Sequence, residues 1–342
     1  MNEQKPEIAL LDAEHISPPD LLTVSPSPHI KHKDTTHTVM RDVLIALAPA
    51  LLWACYVFGT RALTVTLLCV ASCIFFEWLA QKLFQRPVTV SDLSAAVTGM
   101  LLGFNLPSSA PWWMCVAGSA FAIIIVKQLF GGIGKNFMNP ALAARVFLFS
   151  WPTHISTFPA PFERLHLWQL TVKNVDAIAS ATPLSMMRQD RIGEVSLLDL
   201  FLGNVGGCLG EVSALLLLVG GLYLLLRRVI TWHIPVAYLG TVALFALFMT
   251  PEGMVGWEYM LMQLFSGGLM LGALFMATDY VTSPITARGR LIFGAGCGVL
   301  TVLIRRFGGY AEGVSFSILM MNTLVWYLDR ATKPRAFGGV RR

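Results

Sequence analysis

Apolar residues run through this chain in long blocks from about residue 43 onward, each close to the twenty residues or so that a helix needs to cross a ~30 Å hydrocarbon core. Gly, Pro, Asn and basic residues punctuate the blocks. Read with that punctuation, the pattern predicts ten helices near 43–59, 62–84, 92–106, 111–129, 138–152, 207–227, 232–250, 259–279, 290–306 and 312–329. The expected fold class is therefore an all-α integral membrane protein. Residues 1–40 form a polar tail, 41–152 a first five-helix unit, 153–206 a long loop, 207–329 a second five-helix unit and 330–342 a basic tail.

The two units share local patterns. Phe-Gly-Gly stands before the fifth helix (Phe130 to Gly132) and again before the tenth (Phe307 to Gly309), while glycines four apart fall in the third helix (Gly99, Gly103) and in the eighth (Gly268, Gly272). Five is odd, so consecutive five-helix units enter the membrane from opposite sides. Two inverted repeats, a plan common among transport proteins, are the expected architecture. Glycines at this spacing also let helices approach closely, and that is their expected role.

Composition strengthens the membrane assignment. The 342 residues are 55% hydrophobic and only 13% charged, outside the range of ordinary soluble domains, and no segment reads as a soluble domain with its own core. The first forty residues lack the basic flank and apolar run of a cleaved signal peptide and are expected to be mostly disordered. With both termini inside, the inner segments hold 17 of the 25 Lys and Arg, whereas the short outer loops hold only 3 (Arg61, Arg305, Arg306). Such a bias sets orientation, with both termini cytoplasmic and the 153–206 loop outside. It also accounts for the net charge of +5, so no nucleic-acid partner is implied. The six cysteines lie mainly in apolar windows and form no CxxC pair, which points to no disulfide framework, metal or iron–sulfur site. Cys69 and Cys73 share a helical face as packing residues.

Few motifs carry chemistry. "GGIGKN" lacks the earlier glycine and the Ser or Thr of a phosphate-binding P-loop, which excludes nucleotide hydrolysis. What remains is a helix entry with Asn136, Asn139 and Pro140, suited equally to a bound polar ring or anion and to a plain turn. Ionisable residues within spans are costly and must face protein, water or a partner. Glu77, Arg145 and Asp279 are therefore ion-path candidates, with Glu77 and Asp279 also readable as residues snorkelling to the inner interface.

The long loop holds a polar stretch, "DAIASATPLSMMRQ", at residues 176–189. Thr182 before Pro183 fits an N-cap with proline in the first turn, Leu184 and Met187 beginning an apolar face. A phosphate esterified to that hydroxyl would lie over the free N–H groups of the following helix, so cap and attachment site are compatible roles.

The most specific segments are "KQLFGGIGKNFMNPALAARVF", "SATPL", "TDYVTSPITARGRLIFG" and "IRRFGGYAEGVSFSILMMN". On these the chain resembles RnfD, the D component of the Rnf complex, a membrane ferredoxin:NAD+ oxidoreductase that couples electron transfer to Na+ or H+ movement. It is more distantly similar to NqrB, the B component of the sodium-pumping NADH:quinone reductase. The resemblance runs from about residue 25 through "ATKPRAFGG". It implies an FMN joined by a phosphoester to the threonine of an Asp-x-x-Ser-x-Ala-Thr segment, placed there by a flavin transferase using FAD. Asp176, Ala181 and Thr182 match that segment, whereas Ala179 stands at the serine position and Ser180 follows it.

The resemblance further implies riboflavin in some relatives, for which Gly131, Gly132, Gly134, Asn136 and Asn139 are the candidate surroundings. It implies the other Rnf components (A, B, C, E and G) as partners in a bacterial inner membrane. The NAD and ferredoxin sites belong to those partners, since this chain has no dinucleotide fingerprint and no cysteine cluster. Thr182 is then an anchor, and no residue here is a catalytic nucleophile. The rival readings are a small-solute channel built from inverted repeats, with Thr182 only a cap, and a helical scaffold for partner proteins.

Overall fold

Long apolar blocks become helices here because lipid offers no partner for a bare peptide group, so each span must satisfy its hydrogen bonds internally. The computed structural model describes residues 34–162, 181–189, 191, 196–251, 253–310 and 312–334. From Thr36 they fold as one unit, and the described residues form helices without a strand. Among the described residues three helices are long and apolar enough to cross a bilayer: α1 (Thr36–Phe58), α2 (Thr60–Leu83) and, later in the chain, Ala287–Phe307.

The other blocks are shorter than the pattern predicts. They comprise α3 (Ser94–Phe104), α4 (Trp112–Gln128), α5 (Pro140–Leu148), the short α6 (Pro152–Ile155), α7 (Pro183–Arg188) and α8 (Leu197–Leu202), then α9 (Ala214–Leu226) and α10 (His233–Phe248). The eighth predicted span is two helices, α11 (Gly256–Phe265) and α12 (Leu269–Met276), bent by 68° at the intervening Ser-Gly-Gly. The chain closes with α13 (Ala287–Phe307) and α14 (Val314–Thr332). The all-α membrane fold holds, but three of the expected spans, α3, α5 and α12, are half-length helices.

At 1.5 Å per residue the 11 residues of α3 rise only about 16 Å, roughly half a hydrocarbon core. Such ends are tolerated only inside protein. Every residue of α3 and of α12 is buried, as are seven of the nine in α5. The short helices thus form the centre, and the longer ones enclose them. Both broken regions turn on a left-handed residue, Leu93 (φ 65°) before α3 and Gly267 (φ 67°) before α12.

Contacts between halves follow counterparts. α1 packs on α9 and α5 on α14, the first and last helices of each set of five. The glycine pairs do serve close approach, with different neighbours. A Cβ on Gly99 would lie 2.6 Å from Val70 Cα, and one on Gly103 3.0 Å from Thr66 Cα, so α3 sits directly on the α2 backbone. Gly268 and Gly272 instead face Glu312 and Val314. Cys69 and Cys73 are fully buried, and the cysteines are free.

Replacing Gly99 with Leu forces side-chain atoms into a backbone that cannot yield, and is expected to destabilise the fold by about 1–3 kcal/mol or more. Gly240, exposed on α10 with nothing within 4 Å, is the matched control. Thermal unfolding in detergent should drop for Gly99→Leu and hold or rise for Gly240→Ala, since Ala is the better helix former by about 1 kcal/mol.

Candidate functional site

Among the described residues, two cavities gather most of the candidates the sequence singles out. The first, of about 380 Å³, is lined by Thr182 and Ala181 together with Arg145, Glu211, Glu312, Phe149, Tyr310, Ser266 and Gly267. Thr182 has extended backbone (φ −70°, ψ 151°) and its Oγ1 accepts from the Ser185 N–H at 3.3 Å, so it caps α7 with Pro183 in the first turn. That helix has only six residues, and its cap therefore offers local N–H donors more than a long dipole. Leu184 and Met187 pack on Leu200 and Met262, while Arg188 donates to the Gly308 and Gly309 carbonyls. These contacts pin the threonine at the rim of the cavity.

Charge organises the floor. Arg145, near the end of α5, donates to Glu312 Oε2 and, at 2.7 Å, to Asn105 Oδ1, and its Nη2 lies 3.5 Å from Glu211 Oε1. Glu312 Oε1 accepts from the Gly268 N–H at 2.6 Å, at the entry to α12. Arg305 donates to the carbonyls of Gln263 (2.6 Å) and Ser266 (3.0 Å), at the end of α11. A cation at a helix C-terminus and an anion at a helix N-terminus are the stabilising signs, so one stretch, from Arg305 to Glu312, supplies both caps of the broken span. Phe149, Tyr310 and Phe316 add an aromatic wall, with ring centroids 5.1–5.6 Å apart.

The second cavity is smaller, about 110 Å³, and is lined by Ser94, Thr98, Lys127, Asn136, Asn139 and Asp279 among apolar residues. Lys127 Nζ lies 2.7 Å from Glu77 Oε1 and donates to Ser94 Oγ at 2.6 Å, and Gln128 Nε2 donates to the same Glu77 oxygen at 2.8 Å. The last eight residues of α4, Phe121–Gln128, wind as a π-helix, a local distortion frequent at functional sites. Asp279 accepts from Thr282 Oγ1 at 3.1 Å. Asn139 caps α5 through the Ala141 and Leu142 N–H groups, and its Nδ2 donates to the Met276 carbonyl at 3.2 Å.

The sequence candidates thus separate. Thr182, Ala181 and Arg145 meet at the first cavity, and Asn136, Asn139 and Asp279 at the second. Glu77 sits behind the second, 1% exposed and paired, which rules out a snorkelling role. Gly131, Gly132 and Gly134 do not line it. They take φ of 119°, 91° and 84°, so they build the turn before α5. Asp176, Ala179 and Ser180 lie outside the described residues. Among the described residues no cluster of His, Cys, Asp and Glu is arranged to hold a metal.

Sequence reasoning missed Glu211, Glu312 and the role of Arg305. Attention to ionisable residues inside spans passed over acids at span edges, although both glutamates stand close to glycine at the border of an apolar block.

Residues 23–338 match the NQR2, RnfD, RnfE family. The chain is 51% identical over 322 residues to the D component of the Na+-translocating ferredoxin:NAD+ oxidoreductase complex of Acetobacterium woodii, covering 93% of this chain and 95% of that one. It is 37% identical over 331 residues to the D component of the proton-translocating ferredoxin:NAD+ oxidoreductase complex of Clostridium ljungdahlii (93% and 97% covered). It is 41% identical over 332 residues to the D component of the ion-translocating oxidoreductase complex of Stutzerimonas stutzeri (90% and 93% covered). Identity at this level along nearly the whole length leaves one assignment: the chain is a member of the NQR2, RnfD, RnfE family.

Proposed function

We propose that this chain is the RnfD-type membrane component of an ion-translocating ferredoxin:NAD+ oxidoreductase complex and carries an FMN esterified to Thr182. The near full-length identity to the D components of such complexes carries the assignment. Support for the flavin comes from the chemistry of the first cavity. A threonine hydroxyl at its rim faces a guanidinium and an aromatic wall, in about 380 Å³, a size and lining suited to a planar redox ring. Bound there, FMN would accept and pass electrons one or two at a time.

The protein's own groups do the rest. Thr182 anchors, and the Ser185 N–H that its oxygen now accepts is a ready donor to a phosphate. Arg145, held by Asn105 and Glu312, sets a fixed positive charge in the cavity. Pinning of α7 by Arg188, Leu184 and Met187 limits drift of the anchor. Ferredoxin and NAD are handled by the other Rnf components (A, B, C, E and G), and a flavin transferase installs the cofactor. The family assignment and the Lys and Arg bias support an inner-membrane location with the Thr182 segment outward. Asn136 and Asn139 remain the surroundings for riboflavin, and Asp279 the carboxylate lining that cavity for Na+ or H+.

The test is ultraviolet fluorescence of the denatured, gel-separated polypeptide with the transferase co-expressed. Wild type should glow and Thr182→Ala should be dark. Equal signals overturn the attachment, and darkness in both favours the channel reading. A second expectation concerns ions: Asp279→Asn should lower the ions moved per electron in vesicles, and an unchanged ratio removes Asp279 from the path.

A further inference from the structure

Two carboxylates converge on Arg145, and they are not equivalent. Glu312 is fully engaged, one oxygen on the guanidinium and the other on the Gly268 N–H at 2.6 Å. Glu211 is not. Its Oε2 receives only a long contact from the Cys208 N–H at 3.5 Å, and its Oε1 accepts no hydrogen bond although the side chain is 9% exposed.

The charged and titratable groups facing Glu211 are Arg145 on α5, Glu312 before α14, Arg305 on α13 beyond the Ser266 carbonyl, Tyr310 across the cavity and Cys208 on its own segment. Arg145 is committed to Glu312, and Arg305 to the carbonyls of the broken span. A buried carboxylate beside a like charge is kept ionised here chiefly by Arg145, at 3.5 Å, so a further negative charge in the cavity tips it to the acid. Both carboxyl groups also lie over Gly268, where a Cβ would stand 3.5 Å from Glu211 Oε1 and closer still to Glu312 Oε1. Water has a way in, because Tyr310 and Gln189 at the mouth are exposed.

We propose that Glu211 is a proton-binding site of the Thr182 cavity, taking up one proton from water when an electron enters the cavity and returning it when the electron leaves. The source of that electron rests on the FMN reading above, with reduced ferredoxin the reductant. The step balances: one electron enters from the donor, one proton converts the Glu211 carboxylate to the acid, and the charge enclosed in the cavity is unchanged. On exit the electron passes to the next carrier and the proton returns to water. Enclosed charge is costly in a low-dielectric interior, so this neutralisation lets an electron enter without forcing Arg145 off Glu312.

The experiment separates this idea from the flavin assignment. Infrared difference spectroscopy of flavin-free Thr182→Ala protein, titrated with alkali, should show a protonated-carboxyl stretch that disappears as pH rises. Adding Glu211→Gln should abolish the band, and Glu211→Asp should retain a shifted one. Adding Glu312→Gln instead frees Arg145 for Glu211, so the band should vanish at lower pH. In the flavin-bearing protein, the midpoint potential should fall with pH in wild type and fall less steeply in Glu211→Gln, where only the flavin's own protons remain. Persistence of the full band in Glu211→Gln, or an unchanged pH slope, overturns the proposal. A wild-type protein without covalent flavin defeats the earlier assignment while the band still reports on Glu211.

Discussion

The carboxylate of Glu312 is the point on which the interior depends. It joins the Arg145 guanidinium on α5 to the buried N–H of Gly268 at the entry to α12, while Arg305, seven residues earlier, covers the carbonyls on the other side of the same break. A helix broken inside a membrane protein leaves donors and acceptors that lipid cannot satisfy. Here both sets are met by groups of the right sign from a single stretch of chain, so the break is a stable feature. The Ser-Gly-Gly backbone that allows it then opens the space beneath Thr182.

Three half-length helices follow from that arrangement. α3 and α5 begin at the second cavity, with Ser94 and Asn139, and end near the first, with Asn105 and Arg145; α12 runs the other way, from Gly267 to Phe275. A full-length span would have placed its ends in the polar margins of the bilayer. Short ones put theirs inside, where backbone groups and caps become lining for cavities. The enclosing α1, α2, α10 and α13 carry exposed Leu, with Phe on all but α1, a surface suited to lipid.

Much of this was legible in the sequence. Each of the ten predicted apolar blocks holds helix, the eighth as two, and Thr-Pro at 182–183 announced its cap. Half-lengths were not legible, because a buried short helix and a lipid-exposed long one are equally apolar, and Ser266 to Gly268 reads as a packing motif as readily as a break. Glu211 and Glu312 escaped for a related reason. Their partner, Arg145, is far along the chain from either, so only the fold shows that three charges meet.

The contacts between the two cavities are continuous. Arg145 holds Asn105 Oδ1 at 2.7 Å, the Asn105 amide donates to the Met276 sulfur at 3.7 Å, and the Met276 carbonyl accepts from Asn139 at 3.2 Å. Each link ties the end of one half-helix to another. The weakest, an amide on a thioether, sits in the middle, where a sulfur on a flexible side chain can yield without leaving a strong acceptor unpaired. Arg145 is thus joined by three successive contacts to the asparagine that caps α5, and that asparagine lines the cavity with Lys127 and Asp279.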